Sequence, residues 1–463
     1  MHSMNRRQLL GSLGTGLGTL GLAQVLGQGN LLAAPKSDSP LAPQKPHHAP
    51  KAKRLIHLFM CGGPSQVDTF DPKPALAKYA GQRPEAVNLS TERRTFNLFP
   101  TPFKFKKCGQ SGIEVSELFS KVGECADDLC VIRSMQTDIP NHDPGILMMC
   151  TGSNLTNRPA FGSWLLYGLG SENRNLPGFI TLCPGKPGFV GPAIWSNSFL
   201  PGIYQGCHVN HRQAKPSEVM DHLRSTHLGA SAQREQLDLL QALNAEHLQQ
   251  HAGDSALETR IQSMEMAFRM QMEAQEAFDL SKETQATREM YGKGHFNDGC
   301  ILARRLIERD VRVVQLYYDS QENWDSHEST DHQAQCCRRV DQPIAALLKD
   351  LKQRGLLDDT LVLWGGEFGR TPTAEGNSTG RDHNHYGFSV WLAGGGVKGG
   401  MTYGSTDEFG FTATENRMHV HDLHATMLHL MGLDHERLTY RYSGRDFRLT
   451  DVSGTVCKAI LKS

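Results

Sequence analysis

Two apolar runs in the C-terminal half of the chain each lead into a loop that carries carboxylates and histidines. One run, residues 361–364, opens into two glycines and a glutamate, and a glycine-rich loop with two histidines follows. The other, residues 311–318, leads into an aspartate and a histidine two positions apart. Carboxylate oxygens with imidazole nitrogens suit zinc, manganese or iron, whereas calcium prefers oxygen alone. The predicted metal ligands in these loops are Asp325, His327, Glu367, His383 and His385.

The elements around these loops predict an α/β fold. Strand-like runs such as "RLIHLFM", "LCVIRSM", "GFITL", "VRVVQLYY" and "LVLW" alternate with helical patterns such as "GCILARRLIERD" and "CRRVDQPIAALLKDLKQ". This alternation predicts a mainly parallel central sheet flanked by helices on both faces. In such sheets the chemistry lies just beyond the carboxyl ends of the strands. Residues 61–71, 323–332 and 365–385 are therefore expected at one edge.

Composition excludes several classes of partner and site. With 48 Lys and Arg against 49 Asp and Glu, the chain has no charge excess that favours nucleic acid or an anionic membrane. The eleven cysteines are odd in number and form no CxxC pair, so neither a disulfide framework nor a structural zinc knuckle is expected.

The N-terminus has the pattern of an export signal. Twin arginines, Arg6 and Arg7, precede an uncharged Gly- and Leu-rich stretch, and small residues follow. Residues 1–34 are predicted to be a twin-arginine signal cleaved near Ala33 or Ala34, which sends the protein to the periplasm or the exterior. The alternative is a membrane anchor. The stretch is only weakly hydrophobic compared with the ~20 apolar residues that a span needs, and we do not expect an integral membrane protein.

Three further boundaries follow from composition. Residues 35–52 are rich in Pro, Ser and Lys and are interpreted as a linker. Residues 53–463 form the predicted domain. Within it, residues 216–288 are rich in Gln, Glu, Leu, Met and Ala with apolar residues three and four apart, which predicts a helical insertion.

An ordered set of motifs resembles a bacterial family known as domain of unknown function 1501. The motifs are "HLFMCGGPSQVDTFDPKP", "NHDPGILMMCTG", "NWDSH", "GGEFGRTP", "GRDHNHYGFSVWLAGGGVKGG" and "HDLHATMLHLMGLDHERLTYRYSGRDFRLTD", and together they span nearly all of residues 50–460. That family is similar to the alkaline phosphatase and sulfatase superfamily. The resemblance implies an alkaline-phosphatase-like sheet and metal-dependent hydrolysis of sulfate or phosphate esters. The implied substrate is a sulfated or phosphorylated small molecule or polysaccharide.

The chain departs from that superfamily where the nucleophile is expected. Sulfatases use a Cys-x-Pro-x-Arg motif, and here the nucleophile position is His142 and the arginine position is Ile146. The metal-binding Asp that ends the first strand in the superfamily is replaced by Cys61-Gly62. The later Asp-His pair falls at Glu367-Phe368, of which only the glutamate can bind a metal.

Two hypotheses could restore the chemistry. In the first, the metal activates a water directly, with His142 as general base or as a further ligand. In the second, Asp68 replaces the missing strand-end Asp, and Ser65 nearby is the nucleophile. The backbone amides of Gly62 and Gly63 would then hold an anion. For Ser65 the alternative is an ordinary turn residue after a proline.

Two arginines, Arg370 and Arg381, flank the predicted metal site. Their guanidinium groups match the oxygens of sulfate and phosphate, so they are candidates for holding an anionic substrate, the alternative being surface residues that aid solubility. The sequence leaves two functions open. One is a metal-dependent hydrolase, and the other is a non-catalytic pseudo-enzyme that binds a glycan, an anion or a protein partner through the same pocket.

Overall fold

The structure is a computed structural model that describes residues 40–184, 190–212, 229–250, 266, 269–270, 273–318 and 324–462. The predicted export signal, the start of the predicted linker and much of the predicted helical insertion lie outside the described residues. The described residues include every predicted site residue. Residues 319–323, which directly precede Trp324, lie outside them.

The described strands are short and numerous. In chain order they are β1 (Arg54–Phe59), β2 (Thr95–Leu98), β3 (Phe105–Cys108), β4 (Ile113–Ser116), β5 (Leu129–Gln136), β6 (Phe179–Leu182), β7 (Cys207–Val209), β8 (Val313–Tyr317), β9 (Thr360–Gly365), β10 (Gly369–Arg370), β11 (Thr373–Glu375), β12 (His383–Asn384), β13 (Phe388–Gly394), β14 (Met401–Tyr403), β15 (Ser405–Thr406), β16 (Ala413–Glu415), β17 (Met418–His419), β18 (Tyr440–Tyr442) and β19 (Arg445–Phe447).

In chain order, the α-helices lie between the strands. The described α-helices are α1 (Gln66–Thr69), α2 (Pro74–Lys78), α3 (His142–Thr151), α4 (Phe161–Leu169), α5 (Ala230–Gln250), α6 (Gln285–Tyr291), α7 (His295–Ile307), α8 (Thr330–Gln353) and α9 (Val420–Leu430). Of these, α5 and α6 fall in or at the end of the predicted insertion.

One large sheet organises the molecule. Its strand order is β14-β5-β13-β9-β1-β8-β6-β7. The short strand β17 also pairs with β5, next to the carboxyl end of β5 and past the residues that pair with β14. All neighbouring pairs are parallel except the two that β13 makes with β5 and β9. The predicted fold class, a mainly parallel sheet flanked by helices, is confirmed. Because β13 runs the opposite way, its amino end lies at the edge where the other strands end.

The central strand β1 explains why both faces of the sheet are covered. Successive side chains of a strand point to opposite faces. Ile56 and Leu58 accordingly pack into a core with α7 and α8, whereas Leu55 and Phe59 pack into a second core with α3, α4 and α9. A strand buried on both faces reads as a continuous apolar run, which is how β1, β8 and β9 could be predicted.

Residues 40–52, which we call the N-terminal strap, are packed against the domain. The strap donates backbone hydrogen bonds from Gln44 to Leu169 (2.9 Å) and from Lys51 to Leu430 (2.8 Å), at the ends of α4 and α9. This part of the predicted linker is therefore held in place. Among the described helices, none combines the length and the apolar character needed to cross a membrane.

All eleven cysteines lie in the described part of the chain and are free thiols. Nine of them are buried, and Cys207 and Cys457 are partly exposed.

We predict that buried histidines make the fold sensitive to acid. Burial lowers the pKa of His424 to about 3 from its usual 6.5. The unfolded chain takes up a proton as the pH falls through 6.5, whereas the folded chain does not until near pH 3. The contribution of each such histidine to the free energy of unfolding is therefore fully present above pH 6.5. Below pH 6.5 the free energy of unfolding falls by up to about 1.4 kcal/mol per pH unit for each such histidine.

The measurement is the free energy of urea unfolding at pH 7.5, 6 and 4.5. The variant His424→Gln should lose stability less steeply with falling pH than the wild type. The exposed His295 provides a matched control, and His295→Gln should keep the wild-type slope. An unchanged slope in His424→Gln would contradict the prediction.

Candidate metal centre

Four strands and one helix deliver the predicted ligands to one edge of the sheet. Asp325 and His327 follow β8, and Glu367 follows β9. His383 precedes the reversed strand β13, so it reaches the same edge from the opposite chain direction. His142 is the first residue of α3, which comes after β5. The edge predicted from strand alternation is therefore where these groups meet.

Three imidazoles point one nitrogen each at a single carboxylate oxygen. The Nε2 atoms of His142, His327 and His383 lie 3.2, 2.8 and 3.6 Å from Asp325 Oδ1. One ligand atom from each of these four residues lies within 4.8 Å of every other. For His327 and His383, the buried Nε2 makes no hydrogen bond within the described structure.

The opposite nitrogen of each imidazole is held by a carboxylate. Nδ1 of His142 lies 2.6 Å from Glu367 Oε1, and Nδ1 of His383 lies 2.6 Å from Glu92 Oε2 and 2.9 Å from the Pro140 carbonyl oxygen. Nδ1 of His327 contacts Glu375 Oε2. Histidines that bind metals usually donate Nδ1–H to such a partner, which leaves the Nε2 lone pair facing the metal.

This donor set fits a transition-metal ion. Three imidazole nitrogens and one carboxylate oxygen are the ligand types of tetrahedral zinc, and also suit manganese or iron. At zinc–nitrogen distances of about 2.0–2.1 Å the ligand atoms of a tetrahedral site are about 3.3 Å apart. The four atoms lie within 4.8 Å of one another, so a small contraction would suffice. Calcium fits less well, because it prefers oxygen ligands alone.

The protonation states suit cation binding. Burial opposes the charge on Asp325, but the close contacts of its carboxylate with the three imidazoles outweigh burial and hold the pKa of the carboxyl well below the usual range. Burial lowers the pKa of His383 to about 4, so its imidazole is neutral at pH 7. For His142, burial is outweighed by the contacts with Asp325 and Glu367, which raise its pKa to about 9. A proton and a cation therefore compete for His142.

The guanidinium of Arg370 fixes Asp325 from the protein side. Arg370 is fully buried and donates from Nη2 to Asp325 Oδ1 (2.7 Å). Its other bonds go to the carbonyl oxygens of Gly62, Gly63 (3.1 Å) and Arg381 (3.2 Å). All of these partners belong to the protein, so Arg370 holds Asp325 in place from within the domain.

Gly62 is required by a close approach of two backbones. A Cβ atom at this position would lie 2.3 Å from the backbone nitrogen of Asp325 and 2.7 Å from that of Trp324. Its φ of +108° is also one that side-chain-bearing residues rarely adopt. The amide of Gly62 donates to Glu367 Oε1 (2.9 Å), and the carbonyl of Gly63 accepts from Arg370, so these groups already have protein partners.

Three predicted residues meet one another away from the metal group. Asp68 accepts hydrogen bonds from Arg381 Nε (2.8 Å) and from Ser65 Oγ (2.6 Å). All three side chains are at most 3% exposed. The carboxylate of Asp68 is thus neutralised by an arginine, and the Ser65 hydroxyl is committed as a donor in a buried network.

Two of the predicted ligands, Glu367 and His385, lie outside the four-residue group. Glu367 is buried and contacts Nδ1 of His142, on the side away from the four-residue group. His385 is outside the four-residue group; its ring lies 3.9 Å from that of Tyr386. The structure therefore brings three of the predicted ligands, Asp325, His327 and His383, together with His142. From the sequence, His142 is predicted to be a general base or a further ligand.

Glu92 and Glu375 are not among the residues predicted from the sequence. Glu92 lies in an irregular segment, and Glu375 ends β11, an edge strand of a two-stranded sheet. Neither directly follows a strand of the large sheet, the position at which alternating strands and helices predict functional residues. Glu375 is only six residues before Arg381, so its presence in the loop between Glu367 and His383 was the available clue.

Three side chains of the group are partly exposed to solvent. The side chain of Asp325 is 25% exposed, and those of His142 and His327 are each 13% exposed. The carboxylate and two of the imidazoles are therefore partly exposed, whereas Arg370 and Glu367 are buried.

The chain belongs to the family described as "Protein of unknown function (DUF1501)", whose pattern it matches over residues 52–461. This confirms the resemblance inferred from the motifs. No curated protein sequence matches the chain.

The chain is similar to several solved structures, among them two proteins and one protein domain. The PsFucS1 sulfatase from Pseudoalteromonas sp. is 12% identical, with 82% of this chain and 68% of that chain covered and a TM-score of 0.36. The lipoteichoic acid synthase LtaP from Listeria monocytogenes is 8% identical, with 88% and 78% covered and a TM-score of 0.37. The C-terminal periplasmic domain of EcEptC from Escherichia coli, in complex with Zn, is 8% identical, with 91% and 98% covered and a TM-score of 0.35. Similarity this distant does not decide the chemistry of the chain, which depends on its own side chains.

We predict that the purified protein holds a transition metal through His327 and His383. The variants His327→Ala and His383→Ala should each lose most of the bound metal, because each removes one of four ligands. The measurement is elemental analysis after dialysis. The matched control is His385→Ala, which should retain the metal; equal loss in all three variants would contradict the assignment.

We also predict that the carboxylate behind His327 strengthens metal binding. Replacement of Glu375 by Gln should weaken the affinity about 10- to 100-fold, because the amide no longer orients and polarises the imidazole as the carboxylate does. The affinity is measured by competition with a chelator. The exposed Glu408 gives the control variant Glu408→Gln, which should bind as tightly as the wild type. An unchanged affinity in Glu375→Gln would mean that this carboxylate has no supporting role.

Proposed function

We propose that this protein is a metal-dependent hydrolase of sulfate or phosphate esters. The observation that carries the proposal is the group formed by His142, His327, His383 and Asp325. Its inward-facing Nε2 atoms and the carboxylates behind them have the chemistry of a metal centre, and three of the four side chains are partly exposed to solvent.

A bound divalent metal would supply Lewis-acid polarisation of an ester oxygen and activation of water. The chain itself contributes the remaining requirements. Asp325 offers an ionised carboxylate at the solvent side, and Arg370 keeps it oriented. Glu367 and Glu375 hold the imidazoles of His142 and His327 at Nδ1, which fixes their Nε2 atoms toward the centre.

The nucleophile in this hydrolase is a water molecule rather than a protein side chain. Ser65 is 1% exposed, and its hydroxyl donates to Asp68, which is paired with Arg381. A nucleophile must lie within reach of the substrate, and this network is enclosed by protein. In the same way, the contacts of Arg370 and Arg381 with carboxylates and carbonyls support a role for both arginines in positioning.

A non-catalytic function is the alternative. The arginines and the serine that would grip and attack an ester are engaged with the protein, which favours a protein that binds a glycan, an anion or a partner through the metal group. The predicted twin-arginine signal would deliver either kind of protein, already folded, to the periplasm or the exterior.

We predict turnover of aryl sulfates or aryl phosphates by the metal-loaded wild type, measured as release of the chromogenic phenol. His327→Ala should reduce kcat/KM at least about 100-fold, because the metal is the source of the reactive water in this proposal. Ser65→Ala should keep kcat within about 3-fold of the wild type, because the serine takes no part in the chemistry.

The two variants separate the possibilities. A collapse of activity in Ser65→Ala with folded protein would restore the serine nucleophile. Metal-loaded wild type that turns over none of the esters would overturn the hydrolase and favour the binding protein.

A further inference from the structure

A hairpin near the end of the chain presents aromatic rings at the surface. Strands β18 and β19 pair so that Tyr440 lies opposite Phe447 and Tyr442 lies opposite Arg445. Residues 443–444 between them have φ of +47° and +83°, as in the tight type I′ turns of hairpins. Opposite residues of paired strands and alternate residues of one strand share a face. The rings of Tyr440, Tyr442 and Phe447 therefore lie on one side of the hairpin.

Phe199, in a loop from another part of the chain, packs against that face. Its ring is nearly parallel to that of Tyr442, with a centroid distance of 5.1 Å and an interplanar angle of 16°, and lies 4.9 Å from that of Phe447. The loop is itself held, because the Asn197 backbone N–H donates to the side chain of Gln205 (2.9 Å). Tyr442 nevertheless remains 48% exposed. It presents its ring to solvent in a supported orientation, which lowers the conformational entropy lost when a ligand stacks on it.

A small cavity opens beside these rings. Its volume is about 230 Å³, and Phe447, whose ring centroid lies 6.4 Å from that of Tyr442, forms part of its wall. The polar residues that line it include Ser153, Asn154, Arg158, Arg448 and Asp451. The arginines donate hydrogen bonds, the aspartate accepts them, and the serine and the asparagine do both. The cavity thus offers donors and acceptors next to an aromatic wall.

The charges around the cavity are largely balanced. Two ion pairs border it, one between Arg445 and Asp451 and the other between Arg448 and Glu436, whose charged atoms are 3.6 Å apart. Exposed pairs of this kind are weak, so their polar atoms can also bond a ligand. They leave little excess positive charge to attract a polyanion. This balance favours an uncharged ligand over nucleic acid or a highly sulfated polymer.

An aromatic face beside mixed donors and acceptors suits a sugar. A pyranose ring has an apolar C–H face that can pack on an aromatic ring, and its hydroxyl groups both donate and accept hydrogen bonds. The cavity is smaller than the roughly 300–1,000 Å³ of sites for drug-sized molecules, so it has room for about one sugar unit. The guanidinium of Arg158 lies 4.7 Å from the centroid of the Phe447 ring and lines the cavity, where it can donate to that unit.

We propose that this surface binds a polysaccharide of uncharged sugars, with one sugar ring stacked on Tyr442 and a neighbouring unit in the cavity. The site is separate from the metal centre. His142 begins helix α3, and the cavity lies at the other end of this ten-residue helix, about 14 Å away at a rise of about 1.5 Å per residue. The surface anchors a polymer and takes no part in hydrolysis, so the inference goes beyond the proposed hydrolase and does not depend on it.

The test is native gel electrophoresis of the full-length protein through gels that contain galactomannan, xyloglucan or mixed-linkage β-glucan, all uncharged, and through a gel that contains heparin. At least one uncharged polysaccharide should retard the protein, and added salt should not change the dissociation constant, because no ion pair forms with the ligand. Tyr442→Ala should raise the dissociation constant about tenfold, whereas Tyr442→Phe, which keeps the ring, should bind nearly as the wild type does. Phe96, which is 38% exposed, gives the matched control Phe96→Ala, and this variant should bind as tightly as the wild type.

The variant His327→Ala separates this surface from the metal centre. Polysaccharide binding that survives in His327→Ala and weakens in Tyr442→Ala supports the proposal, whether or not the protein hydrolyses esters. Equal binding by wild type and Tyr442→Ala, or binding that is lost in His327→Ala, would place the glycan elsewhere and overturn it. Retardation by heparin alone would assign the surface to a polyanion and overturn it, as would the absence of retardation in every gel.

Discussion

The candidate site depends on one buried positive charge, the guanidinium of Arg370. It is fully enclosed, and it joins the carbonyls that follow β1, the carboxylate that follows β8 and the loop before β13. A buried charge is tolerated only when partners surround it, so each of these loops is constrained by the need to satisfy the same group. The close approach at Gly62 belongs to this constraint, because a side chain there would push Asp325 away from Arg370.

Negative charge exceeds positive charge around this arginine. Asp325 and Glu367 lie within hydrogen-bond distance of His142, Glu375 contacts His327, and Arg370 is the guanidinium that bonds Asp325. Neutral histidines cannot balance these carboxylates. Without a cation, a proton held by His142 supplies part of the balance, which is the physical reason for the high pKa of that imidazole. The same excess makes the group a favourable place for a divalent ion.

The strands of the sheet could be predicted from the sequence better than the side chains that contact one another in the site. Apolar runs identified β1, β8 and β9, and the rule that chemistry follows strand ends led to Asp325 and His327. The reversed strand β13 was not predicted, although it is what brings His383 to the edge. Partners separated by long stretches of chain leave no local signal. Asp68 and Arg381 are 313 residues apart, and the partners of Arg370 are mostly backbone carbonyls, which any residue provides. For that reason a charged side chain that is predicted to bind a substrate can have all of its hydrogen bonds to groups of the protein.

The eleven free thiols set a condition on when this chain must fold. Burial raises the pKa of Cys150 to about 12 and that of Cys130 likewise to about 12, so these thiols are poor nucleophiles in the folded state. The unfolded chain lacks that protection, and eleven reactive sulfurs permit many wrong pairings. In an oxidising compartment, protein that arrived unfolded would be trapped by disulfide exchange, whereas protein that arrived folded would be kinetically shielded. The core itself thus acts as the chain's protection against oxidation.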